Sequence, residues 1–451
     1  MLYPGSFFPG NRIVHTNVLR SALTSIILLG LCASSAQVPG EQGAGFHGRY
    51  LGQALPGCKP EAFAARLFSP WNDYGFHLRS SVFFTADNTT LFFTNGTLPA
   101  VTGHDCSIWS MRRRGLSWTE PEIVSFSGDY YDKIVFLSND GETMHFVSTR
   151  PDKGRGAAQD FNIWFVRENG RKGAKPERFG YPVNSIYDDL GGVMTTDGVM
   201  YLSTDRPGGN GGFDVYYTRL ADRDGGALVN LGGPLNTEAD EFIVLVDSAG
   251  SYLIFFRRDQ RHSIGDGLFI SYREQSGSWS TPKSMGDHIN ARGCSEASVS
   301  PDGGFLFLYY GEDGVYWLRT EIVDYLRNED LDIADQLIRT FSTNGMDDAL
   351  ELYHQLKRRH ARYIDIDEYL LNQRAYQFLD AQRLDEAIVL LRIVAALFPD
   401  SWNTFDSLGD AYLRAGRLEW AKKSYEKSLQ LNPENQNAVN ALEHIQSLHE
   451  H

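Results

Sequence analysis

Five residues with charged or reactive side chains recur at one fixed distance before a turn signal. Each lies nine positions before Asn88, Gly141, Gly198, Gly250 or Gly303. These five residues are Arg79, Asp132, Asp189, Glu241 and Cys294, and Asp188 and Asp240 directly precede two of them. Three acids and an arginine, brought together, could bind a cation, a sugar or a peptide amine. Short acidic side chains also accept backbone N–H groups in turns, and the regular recurrence of these acids favours that structural role.

The elements that must position these residues are short β-prone runs separated by the turn signals. The turns fall at residues 88, 141, 198, 250 and 303, in steps of 53, 57, 52 and 53. Between them, runs such as Val199 to Ser203 alternate apolar and polar residues, which is typical of antiparallel strands. A period near 50 residues with about four strands in each unit predicts sheets repeated around an axis. We therefore expect an all-β five-bladed propeller, with six blades as the alternative, over residues 61–327.

The two ends of this β region are expected to meet. The last unit, from Ala297 to Arg319, lacks a fourth strand of its own, and residues 61–68 precede the first full unit. We predict that Ala62–Phe68 supplies the missing strand and closes the ring; the alternative is an edge strand on the first sheet. In such a ring the first strand of each unit lines the central channel. Arg79, Asp132, Asp189 and Glu241 are therefore expected at the channel mouth.

One motif carries a family resemblance. Residues 196–216 read TDGVMYLSTDRPGGNGGFDVY, and Ser300-Pro301-Asp302-Gly303 opens the last unit in the same style. These residues resemble the TolB-like, WD-repeat-like β-propellers of exported bacterial proteins, over about residues 61–327. The resemblance implies the propeller architecture. It implies no single activity, because such blades occur in binding proteins, transport accessories and enzyme appendages.

The N-terminus has the pattern of a secretory signal. Residues 1–20 contain two arginines and no acid, residues 21–33 are an apolar run, and small residues precede Ala36. We expect a signal peptide over residues 1–36, cleaved after Ala36, and a periplasmic or secreted protein. The apolar run is shorter than the roughly 20 residues that a membrane-spanning helix needs. Lipoprotein anchoring at Cys32 is the disfavoured alternative, because Leu31 stands where such signals usually have a small residue.

Composition limits the function classes. The chain has 42 basic and 57 acidic residues, a net charge of -15, and loss of residues 1–36 with their two arginines gives 40 - 57 = -17. Such an acidic protein lacks the basic stripes that nucleic-acid binding requires. The histidines show no metal-ligand spacing, and no cofactor or metal is predicted. No second segment is apolar enough to cross a membrane, and residues 37–60, rich in Gly, Gln and Ala, are predicted to be a flexible leader.

An odd number of cysteines remains after signal cleavage: Cys58, Cys106 and Cys294. Cys106 opens a third strand and Cys294 a first strand, which places them on the same face of blades that become neighbours when the ring closes. A disulfide between Cys106 and Cys294 is therefore conceivable in an oxidising compartment. Buried free thiols are the alternative.

From about residue 321 the apolar period changes from 2 to 3.6, which predicts an all-α domain over residues 328–451. Small and bulky residues at fixed spacing in 402–435 fit the tetratricopeptide pattern: Phe405, Leu408, Gly409, Tyr412, Ala421, Tyr425 and Pro433. Thirty-four positions earlier the pattern recurs at Ala375, Phe378, Ala387, Leu391 and Pro399. We predict two tetratricopeptide repeats, a degenerate helix pair before them and a capping helix from Glu434 to His449.

Tetratricopeptide repeats form grooves that take extended or helical peptides. The candidate partner-binding residues are Arg374, Phe405, Asp406 and Tyr412. The alternative is that the repeats form a packing platform against the propeller.

The favoured function is an exported, non-catalytic binding or scaffold protein of the cell envelope, with a small ligand or glycan at the propeller channel. A carbohydrate-active hydrolase or lyase using the channel-mouth carboxylates is the alternative. An accessory of outer-membrane transport is a third class, which rests on the TolB-like resemblance. Acids bonded within the fold would favour the binding protein, and unbonded acids roughly 5 to 10 Å apart would favour the enzyme.

Overall fold

The computed structural model describes residues 45–68, 77–96, 106–138, 140–151, 160–167, 173–220, 226–259, 266–290 and 292–449. The predicted signal peptide, with Cys32 and Ala36, lies outside these residues. Within them, strands precede helices, as the change of apolar period predicts. No helix of this described part has the length and apolar character needed to cross a membrane.

The described strands form five antiparallel sheets, which are called blades 1 to 5. Blade 1 contains β2 (His77–Phe84), β3 (Thr90–Gly96), β4 (Cys106–Arg114), β5 (Ser117–Trp118) and β6 (Glu122–Ile123). Blade 2 contains β7 (Asp132–Leu137), β8 (Thr143–Ser148), β9 (Asn162–Arg167) and β10 (Glu177–Arg178). Blade 3 contains β11 (Asp189–Met194), β12 (Val199–Thr204), β13 (Asp214–Arg219) and β14 (Val229–Asn230). Blade 4 contains β15 (Asp240–Val246), β16 (Tyr252–Arg258), β17 (Gly267–Tyr272) and β18 (Lys283–Ser284). Blade 5 contains β19 (Glu296–Val299), β20 (Phe305–Tyr309), β21 (Val315–Arg319) and the N-terminal β1 (Glu61–Ala62).

The blades form a closed ring. The inner strands β2, β7, β11, β15 and β19 contact one another in that order, and β19 also contacts β2. The fold is thus the predicted five-bladed propeller, and the six-bladed alternative is not adopted. The turns between first and second strands have the left-handed backbone that the sequence signals require: φ is 83° at Gly198 and 56° at Asn88, which replaces glycine in blade 1.

The N-terminal strand closes the ring as predicted, but it is shorter than predicted. In β1, Glu61 pairs with Trp317 and Ala62 with Tyr316 of β21, and the Phe63 N–H donates to the Val315 carbonyl at 2.8 Å. The predicted continuation of the strand to Phe68 is wrong. Ala64 has a φ of 45°, and residues 65–68 form the helical turn α1 (Ala65–Phe68). This bend lets the Phe63 and Phe68 rings turn into the core of blades 1 and 5.

The prediction of a flexible leader is wrong for residues 45–60. Phe46, Tyr50 and Leu51 are buried in the aromatic core shared by blades 1 and 5. The indole N–H of Trp118 donates to the Gly48 carbonyl at 2.7 Å. Two large aromatic side chains in a Gly-rich segment are enough to hold it against the propeller, because burying each removes a large apolar area from water.

Helices follow β21. The first, α3 (Glu321–Asn328), buries Ile322, Val323 and Leu326 in the propeller core. The remaining helices form antiparallel pairs and a final single helix, namely α4 (Ile333–Asn344), α5 (Met346–Arg359), α6 (Glu368–Asp380), α7 (Leu384–Leu397), α8 (Trp402–Arg414), α9 (Leu418–Leu431) and α10 (Gln436–His449). Their core is continuous from Ile333 to Ile445. The predicted degenerate helix pair corresponds to α4 and α5. The two predicted repeats correspond to α6–α9, and the predicted capping helix corresponds to α10.

The two helices of the last repeat approach closely at Gly409, as the tetratricopeptide pattern requires. A Cβ atom on Gly409 would lie 2.8 Å from the Tyr425 ring. Real Cβ contacts are not that short, so only glycine fits opposite this tyrosine. The pair Gly409 and Tyr425 therefore sets the distance between α8 and α9.

Candidate functional site

The first predicted channel-mouth acid, Asp132, is fully buried and bonded on every side. It accepts hydrogen bonds from Ser127 Oγ at 2.8 Å and from Ser148 Oγ at 2.6 Å. The Arg150 guanidinium, from the end of β8, lies 2.7 Å from its Oδ1 and also donates to the Phe126 carbonyl at 3.1 Å. Burial raises the pKa of Asp132, and the Arg150 charge opposes that rise.

Asp189 and Glu241 repeat this arrangement in blades 3 and 4. Asp189 accepts from the backbone N–H and the hydroxyl of Ser185, at 2.6 and 2.9 Å, and Arg206 lies 2.6 Å from it. Glu241 accepts from the backbone N–H and the hydroxyl of Thr237, at 3.0 and 2.5 Å. Its arginine partner, Arg257, is 2.9 Å away. Each of the three acids therefore connects the segment before its blade's first strand with the arginine at the end of the second strand.

The arginine partners were not found by the sequence reasoning. Arg150, Arg206 and Arg257 follow their acids by 18, 17 and 16 residues, at the far end of the same β-hairpin. A usable signal existed, because Arg150 and Arg206 each precede a proline in equivalent positions of the repeat. Each arginine also donates to a carbonyl of the entering segment, as Arg257 does to Leu235 at 2.9 Å.

Asp188 and Asp240 join neighbouring blades. The Asp188 carboxylate accepts from the Phe161 N–H at 2.8 Å, and Asp240 accepts from the Phe213 N–H at 3.1 Å. Phe161 and Phe213 directly precede the third strands of blades 2 and 3. These two acids thus connect blade 2 with blade 3 and blade 3 with blade 4. None of the acids Asp132, Asp188, Asp189, Asp240 and Glu241 could act on a substrate without breaking a bond of the fold.

Arg79 differs from the three acids. It is partly exposed, and no ion pair or side-chain hydrogen bond joins it to another described residue. Arg79, Lys133 of blade 2 and Glu296 of blade 5 all lie close enough for their charges to act on Cys106, and Arg79 and Glu296 also act on Tyr131. Lys133 Nζ forms an ion pair with Glu296 Oε1. Since blade 1 lies between blades 5 and 2, this ion pair reaches past the inner strand of blade 1 and spans the channel mouth.

The disulfide considered between Cys106 and Cys294 is not formed. Both residues and Cys58 are buried free thiols. Cys294 Sγ lies 3.6 Å from the Glu296 carbonyl, and burial raises the pKa of Cys106 to about 12 despite the nearby charges of Lys133 and Arg79. Burial keeps the Cys106 and Cys294 thiols protonated, which is typical of inert packing cysteines.

Arg374, predicted to line the helical groove, instead joins the two domains. It is buried, with Nε 3.3 Å from Asp287 Oδ1 and Nη2 3.5 Å from Asp335 Oδ2. Asp287 belongs to the four-residue helix α2 (Asp287–Asn290) of blade 4, and its other oxygen accepts from the Ala334 N–H of α4 at 3.0 Å. The prediction for Arg374 is wrong because its repeat is the one that packs against the propeller.

The other three predicted groove residues lie on α8. Tyr412 is buried, with its ring 6.0 Å from Trp420, whereas Phe405 and Asp406 are partly exposed. Asp406 accepts from Asn435 Nδ2 at 2.7 Å, and burial raises its pKa. Tyr412 is thus a packing residue, Asp406 is bonded to Asn435, and Phe405 is partly exposed at the surface of the repeat.

Large apolar side chains remain exposed on the helical domain. Trp420 of α9 is 57% exposed, Tyr369 of α6 is 52% exposed and Trp402 of α8 is 39% exposed. Half-exposed aromatic residues of this size are typical of protein-binding surfaces, where they supply much of the affinity. The sequence reasoning missed them because all three lie outside the packing positions of the repeat pattern.

An open pocket of about 380 Å³ lies where α3 meets the segment before α6. Tyr325 and Tyr363 stack there with ring centroids 3.8 Å apart. Two acids of its wall are already paired, Glu321 with Arg362 and Glu329 with Arg359. Among the described residues, no group of three or more His, Cys, Asp or Glu side chains is placed to hold a metal ion.

Comparisons with known proteins agree with the helical architecture. The sequence model described as "Tetratricopeptide repeat" matches residues 403–435, which span α8 and α9. Curated proteins contain no match to the chain. The chain is thus a five-bladed β-propeller protein with C-terminal tetratricopeptide repeats, and such repeats have a protein-interaction role. Its likeness to TolB-like propellers rests on the sequence motif alone.

Solved structures similar to this chain match about a quarter of it. The first tetratricopeptide domain of Spaghetti (RPAP3), bound to the HSP90 peptide SRMEEVD, is 23% identical, covers 26% of this chain and 91% of its own, and has a TM-score of 0.20. The second such domain of human RPAP3, in complex with the HSP70 peptide SGPTIEEVD, is 28% identical, covers 25% and 92%, and has a TM-score of 0.18. A point mutant of MamA is 25% identical, covers 27% and 87%, and has a TM-score of 0.21.

Proposed function

We propose that this chain is an exported, non-catalytic binding or scaffold protein of the cell envelope. In this proposal the tetratricopeptide repeats hold a protein or peptide partner, and the propeller is a rigid body fused to them. The observation that carries the proposal is a contrast between surfaces. The acids of the propeller mouth are bonded within the fold, while α6, α8 and α9 keep aromatic and acidic side chains exposed.

The non-catalytic part of the proposal is supported by the state of the three mouth acids. Glycoside hydrolysis needs two carboxyl groups able to exchange a proton or attack the sugar. Asp132, Asp189 and Glu241 each face an arginine within 2.9 Å and also accept hydrogen bonds from neighbouring residues, so their oxygens could reach a sugar only by breaking these bonds. No observation on these residues favours the hydrolase or lyase alternative.

The scaffold part is supported by the domain junction. Arg374 pairs with Asp287 across it, Gln377 Nε2 donates to the Asn290 carbonyl at 3.2 Å, and the Ala334 N–H of α4 donates to Asp287 Oδ2 at 3.0 Å. These contacts hold the repeats against blade 4. A partner bound by the repeats would therefore be held at a fixed position relative to the propeller.

The partner surface can be tested by capture from an envelope extract with C-terminally tagged full-length chain. We expect the wild type to retain a partner that the Trp402→Ala, Trp420→Ala double variant loses. The control is Leu116→Ala, which removes an even more exposed apolar residue from the propeller (73% exposed) and should retain the partner. Capture of the same proteins by all three chains would contradict the proposal.

The location can be tested by cell fractionation and sequencing of the mature N-terminus. We expect the chain in the envelope or the medium, beginning at Gln37. A cytoplasmic chain that keeps residues 1–36 would contradict the proposed export and leave the partner surface to be judged by the capture experiment.

A further inference from the structure

Blade 1 has a feature at the channel mouth that blades 2 to 4 lack. In β2, Leu78 pairs with Asn95 and Val82 pairs with Phe93, so residues 79–81 bulge opposite the single residue Thr94. In blades 2, 3 and 4 the irregularity lies deeper in the strand and adds one residue, as between Ile134 and Phe136. Bulges redirect side chains and are common beside binding and catalytic sites. The side chain redirected here is Arg79.

The bulge is fixed by buried hydrogen bonds. Ser80 Oγ accepts from the Thr94 N–H at 3.0 Å, and Ser81 Oγ lies 3.0 Å from Ser298 Oγ of blade 5. The Ser81 N–H also donates to Glu296 Oε2 at 3.4 Å. Because Ser80 and Ser81 are fully buried, the backbone that carries Arg79 is held in place before any ligand arrives.

Two of the three described charges that act on Cys106 are positive. Arg79 and Lys133 carry the positive charges, and Glu296 carries the negative one. The Lys133 and Glu296 side chains are only 15% and 16% exposed, so water screens this group weakly. Asp132 of the next blade is already bound by Arg150.

We propose that the channel mouth is a binding site for a single carboxylate group. Arg79 binds this group where blades 1, 2 and 5 meet. A guanidinium presents two parallel N–H groups that match the two oxygens of a carboxylate. A monoanion fits this site better than a phosphate dianion, because Glu296 repels a dianion more strongly. The site is opposite in sign to the cation or amine site that the acids in the sequence predict. The carboxylate can come from a small molecule or from the C-terminus of a protein partner.

The test is isothermal titration calorimetry on the purified full-length chain at low salt. The probes are benzoate, a short apolar peptide with a free C-terminal carboxylate, and the same peptide with an amidated C-terminus. We expect Arg79→Gln to weaken the binding of a carboxylate probe by about 10- to 100-fold, because a charged hydrogen-bond partner is lost. The matched control is Arg167→Gln, an exposed arginine at the opposite end of the ring, which should bind like the wild type.

Each outcome decides the proposal. Binding of benzoate and the free-acid peptide identifies a small-molecule type of site, whereas binding of the free-acid peptide alone identifies a protein C-terminus. In both cases the amidated peptide must fail to bind. Binding that is equal in wild type and Arg79→Gln, or no binding of either carboxylate probe, overturns the proposal. If Arg79→Gln does not fold, Arg79→Lys keeps the charge without the paired N–H groups and is expected to give an intermediate loss.

Discussion

Blades 2 to 4 and blade 1 use the same position of the repeat in opposite ways. In blades 2 to 4 the residue nine positions before the turn is an acid that is fully buried and bonded to an arginine of its own hairpin. In blade 1 the same position is Arg79, which lies on a bulge and has no partner among the described residues. A charged residue that recurs in a repeat together with its partner stabilises the fold. A charged residue that breaks the recurrence is a candidate for binding.

The largest expected effect comes from removing an arginine of blades 2 to 4. In Arg206→Gln the buried Asp189 would lose its arginine partner, which costs about 3 to 5 kcal/mol of unfolding free energy. Urea unfolding of the variant and the wild type measures this difference. The control is Arg219→Gln in the same blade, whose pair with Asp197 is exposed and is expected to contribute about 0.5 kcal/mol or less. Equal losses for the two variants would contradict a structural role for the buried pair.

The next largest loss of stability is expected in the helical repeats, where the recurring residues also pack the fold. Gly409→Ala would place a Cβ atom 2.8 Å from the Tyr425 ring, and such overpacking costs about 1 to 3 kcal/mol. Urea unfolding measures the loss. Gly180→Ala is the control, because no atom lies within 4 Å of its added Cβ. An unchanged stability of Gly409→Ala would mean that the spacing of α8 and α9 is not set by this glycine.

A smaller, pH-dependent effect is expected at the domain junction, where acids outnumber arginines. Burial, and next the Asp287 charge, raise the pKa of Asp332 from 3.8 to about 7. The folded chain therefore binds this proton more tightly than the unfolded chain does. The resulting stability is complete below pH 3.8 and is lost as the pH rises through about 7, with a slope of about 1 kcal/mol per pH unit.

Urea unfolding between pH 5 and pH 8 tests this expectation. Asp332→Asn keeps a hydrogen-bond acceptor for Ser284 and should remove most of the slope. Asp347→Asn, at a position of α5 away from the junction, should leave the slope unchanged. A wild type whose stability rises over this range would contradict the assignment to Asp332.

The architecture was predictable because repeated turns and alternating strands are local signals. The turn signals between residues 88 and 303 showed the period of the blades, and Gly409 and Tyr425 belong to the tetratricopeptide pattern. The site was less predictable, because its chemistry depends on partners distant in sequence. Asp189 and Arg206 meet through the register of a hairpin, and Arg374 meets Asp287 although 87 positions separate them (374 - 287). The bulge at Arg79 could not be predicted from a single sequence, because serine residues such as Ser80 and Ser81 are also found in regular strands.

One measurement tests the contrast between the blades most directly: thermal unfolding of Arg79→Gln, Arg150→Gln, Arg206→Gln and Arg257→Gln, each with and without a bound carboxylate probe. We predict that the last three variants melt well below the wild type and are still stabilised by the carboxylate. Arg79→Gln should melt like the wild type without the probe and gain no stability from it. A low melting temperature for Arg79→Gln together with carboxylate stabilisation equal to that of the wild type would contradict the account.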